Sequence, residues 1–257
     1  MSLVQYESSD HIATITLDRP EALNAISGAM ADELAERFAR AAMDDDAWVV
    51  IVRAAGEKAF CVGADLKERA GASLEELHRN RSKVRGMFDA LRAVPQPTIA
   101  AIFGFALGGG FEIALSCDLV VAAQGTKVGL PETKVGLLPA GGGTQLLTRK
   151  VGTGRAKDLI FRGRLIDAQH ASDLGIVAEV CDPADLDEHT RTVAREICKS
   201  SPIAVRQSKR AIDGALGDLA EGIELEHQAW EVVIRSSDRA EGITAFVEKR
   251  DAEWKNR

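Results

Sequence analysis

The sequence is poor in the patterns that organise metal sites and disulfide scaffolds. Its four cysteines, Cys61, Cys117, Cys181 and Cys198, form no CxxC pair, and its five histidines (His11, His78, His170, His189, His227) fall at non-ligand spacings. A zinc site and a disulfide framework are therefore excluded as the basis of the fold. The thiols are expected to be buried and reduced, as in a cytoplasmic protein. Positive charge is also in deficit: 32 Lys and Arg stand against 39 Asp and Glu, a formal net charge of −7. That balance argues against a nucleic-acid partner, and an anionic ligand would need local help from glycine amides or a few cations.

Several signatures are missing outright. Gly104 with Gly108–Gly110 does not make GxGxxG, no GxxxxGK[ST] occurs, and no GxSxG occurs. A dinucleotide fold, a P-loop and an esterase elbow each lose their fingerprint. The start, Met1 to Glu7, lacks a basic segment leading into an apolar one, so no secretory leader is expected. The least polar stretch, Thr98–Cys117, carries Glu112 and four glycines and is followed by Asp118. A bilayer tolerates such a carboxylate poorly, so this stretch reads as a buried strand, turn and helix, with no membrane partner expected.

What is present suits a large soluble α/β protein. The 257 residues are 46% hydrophobic and 28% charged, enough for one sizeable core or a core with an appendage. Leu3–Glu7 and Ile12–Leu17 alternate around Ser9-Asp10 and read as a hairpin. Met30, Leu34, Phe38 and Ala41 recur at helical spacing, which predicts a helix over Ser27–Met43 with Ser27 as its N-cap. Trp48–Val52 reads as a buried strand, Ser73–Ala93 as a charged helix, and Pro95-Gln96-Pro97 as a breaker. Thr98–Phe103 reads as a strand, 109–116 as a helix, and Leu119–Ala122 as another strand. This alternation predicts stacked βα units with parallel pairing. From Asp167 onward the pattern is helical apart from Ile176–Val180, with amphipathic helices marked by Leu186, Val193 and Ile197 and by Leu219, Ile223, Trp230 and Val233.

Two glutamates follow distinctive backbone signatures. Glu112 comes after Gly108-Gly109-Gly110-Phe111, and Glu132 closes Gly129-Leu130-Pro131-Glu132. A glycine run entering a helix offers N–H groups to a developing negative charge. The loop Ala59–Glu68 has free N–H groups of its own, so Ala64 and Gly109 could each donate to a single oxygen if the loops lie side by side. Each part has a plainer reading: the glycines permit tight turns, Glu112 suits a helix start, and Glu132 opens a short helix after Pro131. Glu112 nevertheless lies in a very apolar stretch, where a carboxylate needs partners or a raised pKa. The combination points to an oxyanion hole with a two-carboxylate acid/base site. Gly141-Gly142-Gly143-Thr144-Gln145 is a further glycine loop, best suited to a simple turn, with phosphate binding or pocket shaping as the alternatives.

These motifs, taken in order, resemble the enoyl-CoA hydratase/isomerase (crotonase) superfamily over essentially the whole chain. The carrying segments are Leu17–Ala25, Phe60–Lys67, Pro97–Ala101, Ala106–Glu112 with Cys117-Asp118, Gly129–Glu132, Pro139–Gln145 and Ala245–Arg250. The resemblance implies an α/β, crotonase-like spiral of ββα units over residues 1–180, holding an acyl-CoA site. It also implies a helical region over 181–257 for oligomerisation and pocket capping, in a homotrimer or hexamer. Ala64 and Gly109 match the family's oxyanion-hole donors, and Glu112 and Glu132 its hydratase carboxylates. Ala64, Asp65, Leu66 and Lys67 match its CoA-contacting segment, where Lys67 would meet the anionic part of CoA.

Possession of both glutamates implies syn hydration of a 2-enoyl-CoA, with no metal or cofactor beyond the CoA of the substrate and with a role in fatty acid metabolism. Δ3-Δ2-enoyl-CoA isomerase, methylglutaconyl-CoA hydratase and an acyl-CoA- or RNA-binding scaffold are the alternatives. The chain departs from many relatives at Ala140, Leu146 and Phe111, where glycine, arginine and a smaller residue are common. The acyl pocket is where those departures would be felt.

Overall fold

The computed structural model describes residues 2–215 and 217–257. The chain opens with β1 (Val4–Ser9) and β2 (Ile12–Leu17), an antiparallel hairpin. Its turn is Asp10-His11, with φ of 52° and 63°, one residue later than the alternation suggests. Two consecutive positive φ values match the right-handed twist of the flanking strands.

Helix α1 (Gly28–Ala42) follows, capped by Ser27, whose side chain accepts from the Met30 N–H. Then come β3 (Val49–Ala54), the single turn α2 (Leu66–Arg69), α3 (Leu74–Arg92), β4 (Thr98–Ile102), β5 (Phe105–Leu107), α4 (Gly109–Ser116), β6 (Leu119–Ala123) and β7 (Lys127–Gly129). Ser73 and Glu76 form a capping box on α3, which starts a helix whose sequence is otherwise mostly charged. The remaining elements are α5 (Gly143–Val151), α6 (Thr153–Arg162), β8 (Leu165–Asp167), α7 (Ala168–Asp173), β9 (Glu179–Cys181), α8 (Leu186–Cys198), α9 (Pro202–Gly214), α10 (Leu219–Ile234) and α11 (Ser237–Glu248).

The main sheet has six strands in the order β1-β2-β3-β4-β6-β9, parallel from β2 onward. Pairs such as Ile51 with Ile99 and Ala100 with Val120 set the register. Its inner strands β3, β4 and β6 are apolar on both faces, as parallel strands covered on two sides must be. Val50, Val52, Ala100, Ile102, Val120 and Ala122 face the larger core, shared with Leu34 and Phe38 of α1 and with Met87, Phe88 and Leu91 of α3. The alternate residues Val49, Ile51, Ile99, Ala101 and Val121 face Leu186 and Ala194 of α8.

A second, three-stranded sheet pairs β5 with β7 in parallel and β7 with β8 antiparallel. Its strands are three residues each, too short to show a period, and the sequence reading does not contain them. The run Ile176–Val180 also shifts. Ile176 and Val177 are buried, but their N–H groups donate to Ala171 O at the end of α7. The ladder therefore begins only at Glu179.

The C-terminal helices are tied back at particular points. Lys209 Nζ of α9 reaches Asp118 at 2.7 Å and the carbonyls of Val94 and Gln96 at 2.9 and 3.0 Å. Buried Asp238 of α11 accepts from Ser201 Oγ and from the N–H groups of Lys255 and Asn256. Trp230, Phe246 and Val247 remain exposed on these helices. No helix among the described residues is long and apolar enough to cross a membrane.

Candidate active site

The second sheet brings two loops against each other. Cys61 N–H donates to Phe105 O at 3.1 Å, and Leu107 N–H returns to Cys61 O at 2.9 Å. On the other side, Ile26 N–H donates to Gly63 O at 2.8 Å and Asp65 N–H to Ile26 O at 3.0 Å. The segment 61–65 is thus held from both flanks. The Ala64 N–H donates to no backbone group among the described residues, and Gly109, as first residue of α4, has no intrahelical acceptor. The two loops touch closely: a Cβ built on Gly63 would lie 3.0 Å from Gly109 N.

Two glycines make this approach possible. Gly108 has φ of 52° and sits under the Glu132 carboxyl, where a Cβ would fall 3.0 Å from Oε1. Gly110 packs on the Cys61 carbonyl, and a Cβ there would come within 2.2 Å of that oxygen. The glycine run therefore serves loop contact as well as turning.

Glu112 lies in the first turn of α4 and is 3% exposed. Its Oε1 accepts from the Gly141 N–H at 2.7 Å and the Gly143 N–H at 2.8 Å. The 139–145 glycine loop is therefore a cradle for a carboxylate of the protein itself, which neither the turn nor the phosphate alternative describes. Burial pushes the Glu112 carboxyl up, opposed by the Gly143 and Gly141 amides and by the Arg81 charge.

Glu132 opens a short 3₁₀ turn, Glu132–Val135. Its Oε2 is buried without a hydrogen-bond partner. Burial pushes this carboxyl up to about 7, its own backbone N–H opposing and the neighbouring Glu112 charge adding to the rise. Donors aimed at a carboxylate favour its ionised form, and their lack favours the acid. The two carboxyls thus differ in their donors: Glu112 Oε1 has two backbone amides for its ionised form, whereas Glu132 Oε2 has no partner.

Both carboxyls open on one cavity of about 370 Å³. Of the residues singled out in the sequence, Ala64, Leu66, Gly109, Glu112 and Glu132 line it. Asp65 does not. Its Oδ1 caps α2 by accepting from the N–H groups of Lys67 and Glu68, and its Oδ2 accepts from Arg19 Nη1 at 2.7 Å. The Arg19 hydrogen bond holds the Asp65 carboxyl below the usual range. Lys67 is exposed and lies outside the cavity wall. Three cations border the cavity, Arg69, Arg81 and Lys134, together with Val84, Phe88, Leu137 and Leu138. The sequence reading names none of these, and nothing in the spacing of the charged helix α3 marks its inward residues. Of the three departures, only Ala140 touches the cavity; Phe111 is buried in the main core, and Leu146 packs against that core.

Comparison with known proteins gives a consistent result. Residues 7–257 match the family model described as enoyl-CoA hydratase/isomerase. The chain is 37% identical over 253 residues to the short-chain-enoyl-CoA hydratase of Clostridium acetobutylicum, covering 98% of this chain and 97% of that protein. It is 43% identical over 244 residues to the mitochondrial enoyl-CoA hydratase domain-containing protein 2 of Homo sapiens, covering 93% and 84%. A crystal structure of enoyl-CoA hydratase from Bacillus anthracis superposes with a TM-score of 0.97 at 42% identity, covering all of both chains.

Proposed function

This chain belongs to the enoyl-CoA hydratase/isomerase family, and from that premise we propose that it is an enoyl-CoA hydratase. The reaction is syn addition of water across the C2–C3 double bond of a 2-enoyl-CoA to give a 3-hydroxyacyl-CoA. The observation that carries this reading is the unlike setting of two carboxyls on one cavity. Glu112 is held by two amides, whereas Glu132 carries an unpartnered oxygen and a pKa of about 7.

In this mechanism the thioester oxygen lies between the Ala64 and Gly109 N–H groups. They polarise the conjugated system and stabilise the enolate, each worth roughly 2.7–4 kcal/mol in the transition state. Glu112 takes a proton from water as the water oxygen bonds to C3. The electrons move to the thioester oxygen, and Glu132 delivers its proton to C2 as the enolate collapses. The acyl group is neither oxidised nor reduced overall, so the reading calls for no redox cofactor.

The same reading takes Lys67, on the exposed first turn of α2 beside cavity-lining Leu66, as a contact for the anionic part of CoA. Membership of the family and the exposed apolar side chains Trp230, Phe246 and Val247 support a homotrimer or hexamer with the C-terminal helices at subunit contacts. Four free thiols suit a reducing, cytoplasmic setting.

The test follows loss of enoyl-thioester absorbance with crotonyl-CoA for the wild type, Glu112→Gln and Glu132→Gln. Fast loss in the wild type with collapse in both variants is the expected result. Conversion of a 3-enoyl-CoA but not of a 2-enoyl-CoA would make the protein an isomerase instead.

A further inference from the structure

The cradle around Glu112 is itself held from outside by α3. Arg81 Nη2 donates to Ala140 O at 2.7 Å, and Arg92 Nη1 donates to Gly141 O at 2.9 Å. Both carbonyls belong to the glycine loop that receives Glu112. Ala140 O shares its peptide with the Gly141 N–H, which is bonded to Oε1 at 2.7 Å. Gly141 O lies one peptide further along the loop, between the two amides bonded to Glu112. A cation bonded to a carbonyl polarises that peptide and strengthens the bond its N–H donates.

Arg81, Phe88 and Arg92 fall on one face of α3. Phe88 fills the space between the arginines so tightly that a Cβ on Gly141 would come within 2.2 Å of its ring. The Arg92 guanidinium lies over the same ring at 5.9 Å. Arg92 is also paired with Asp89 at 2.7 Å, whereas Arg81 has no ion-pair partner among the described residues. The other charged groups at the cavity are Arg69 of α2 and Glu132 and Lys134 of the 3₁₀ turn; none of them hydrogen bonds to the 139–143 loop.

We propose that Arg81 and Arg92 are positioning residues for Glu112, holding its orientation and its ionised form through the Ala140–Gly141 peptide unit and the loop backbone that follows it. The inference rests on the hydratase reading for its consequence in turnover, and on the loop hydrogen bonds and the nearby Arg81 charge for its effect on Glu112.

The experiment therefore has two readouts on the full chain, for Arg81→Met, Arg81→Lys and Arg92→Met. One is the titration of the Glu112 carboxyl by carbon NMR in glutamate-labelled protein, its resonance assigned by its loss in Glu112→Gln. The other is kcat and KM for crotonyl-CoA across pH, with thermal melting to verify folding. Arg81→Met is expected to move the Glu112 titration and the acidic limb of kcat to higher pH. It should lower kcat about tenfold, the scale typical of groups that orient a reacting residue, and leave KM nearly unchanged. Arg81→Lys should restore most of the limb. Arg92→Met should act in the same direction but less, because Asp89 already offsets that charge. An unmoved Glu112 titration in Arg81→Met, or a rise in KM with kcat retained, would overturn the proposal; the second result would make Arg81 a substrate contact. Should the wild type fail to turn over crotonyl-CoA, the hydratase reading suffers while the titration still decides whether Arg81 and Arg92 hold Glu112 ionised.

Discussion

The floor and the rim of the cavity hold carboxyl groups in opposite ways. On the floor, Glu112 is 3% exposed, and its Oε1 accepts from two backbone amides contributed by the 139–143 loop. On the rim, Glu132 sits at the start of a 3₁₀ turn with Oε2 unpartnered. Burial raises both, and the donors that oppose it differ. Two chemically identical side chains thereby stand in unlike settings, one with backbone donors and one with an unpartnered oxygen.

The largest expected effect breaks the comparison by removing either carboxyl. Glu112→Gln and Glu132→Gln should each lower kcat about 10²–10⁴-fold with the fold intact. The pH profile separates them. Hydration needs Glu112 ionised and Glu132 protonated, so activity should fall as pH rises through about 7, where Glu132 loses its proton, and fall again in acid as Glu112 gains one. The limbs belong to the pair as a coupled unit. The alkaline limb should disappear in Glu132→Gln and survive in Glu112→Gln as far as residual activity allows; activity within a few-fold of wild type in both variants would remove them from the mechanism.

Gly109→Pro tests the donors between the two carboxyls. Proline is tolerated at the first position of a helix, so this change deletes the N–H, with its ring crowding Ile26, whose Cδ1 is 3.2 Å from a Cβ built on Gly109. A fall of roughly 10²–10³ in kcat is expected, read in the same assay with a melting curve to show that the protein still folds. Unchanged kcat would place the thioester oxygen elsewhere.

Floor and rim can also be compared through glycine. In Gly141→Ala the new Cβ would lie 2.2 Å from the Phe88 ring and 2.7 Å from Glu112 Oε2. Overpacking of this kind costs about 1–3 kcal/mol, and the displaced cradle should reduce kcat as well. Gly136, in the turn below Glu132, has φ of 74° and nothing within 4 Å of a built Cβ. Gly136→Ala should cost only the backbone strain, about 1–2 kcal/mol, with kcat close to wild type. Equal kcat losses at both positions would contradict the division between floor and rim.

The smallest effect concerns stability. Glu132 titrates at about 7 in the fold against an ordinary value of 4.5. The folded state therefore binds the extra proton between those values, and ionisation of Glu132 costs stability progressively as pH rises from 4.5 to 7. Glu132→Gln should match the wild type near pH 4 and melt about 2 °C higher above pH 7, a modest gain because the carboxyl is partly open to solvent. A lower melting point above pH 7 would show that the carboxylate has a partner in the assembled protein.

Much of the architecture was legible because it repeats. Ser27 announces a helix start through its cap, and β3, β4 and β6 read as strands because parallel strands must be apolar on both faces. The second sheet was not legible, since Phe105–Leu107, Lys127–Gly129 and Leu165–Asp167 are three residues each and are defined by pairing across the chain. The same holds at the site. Ala64, Gly109, Glu112 and Glu132 carry local signatures of loop, helix start and turn, and they meet on one cavity. Asp65 shares the local signature of its segment but turns its carboxylate to α2 and Arg19. Arg81 and Phe88 reach the cavity from a helix whose sequence shows only charge.

By itself the sequence determined which backbone groups lack partners and which carboxyls stand beside them, because helix starts and glycine turns are set by residues within a few positions. Only the tertiary structure decided what surrounds each carboxyl. The amides that receive Glu112 come from 29 and 31 positions away, and burial, which raises both pKa values, is a property of packing that no local segment contains.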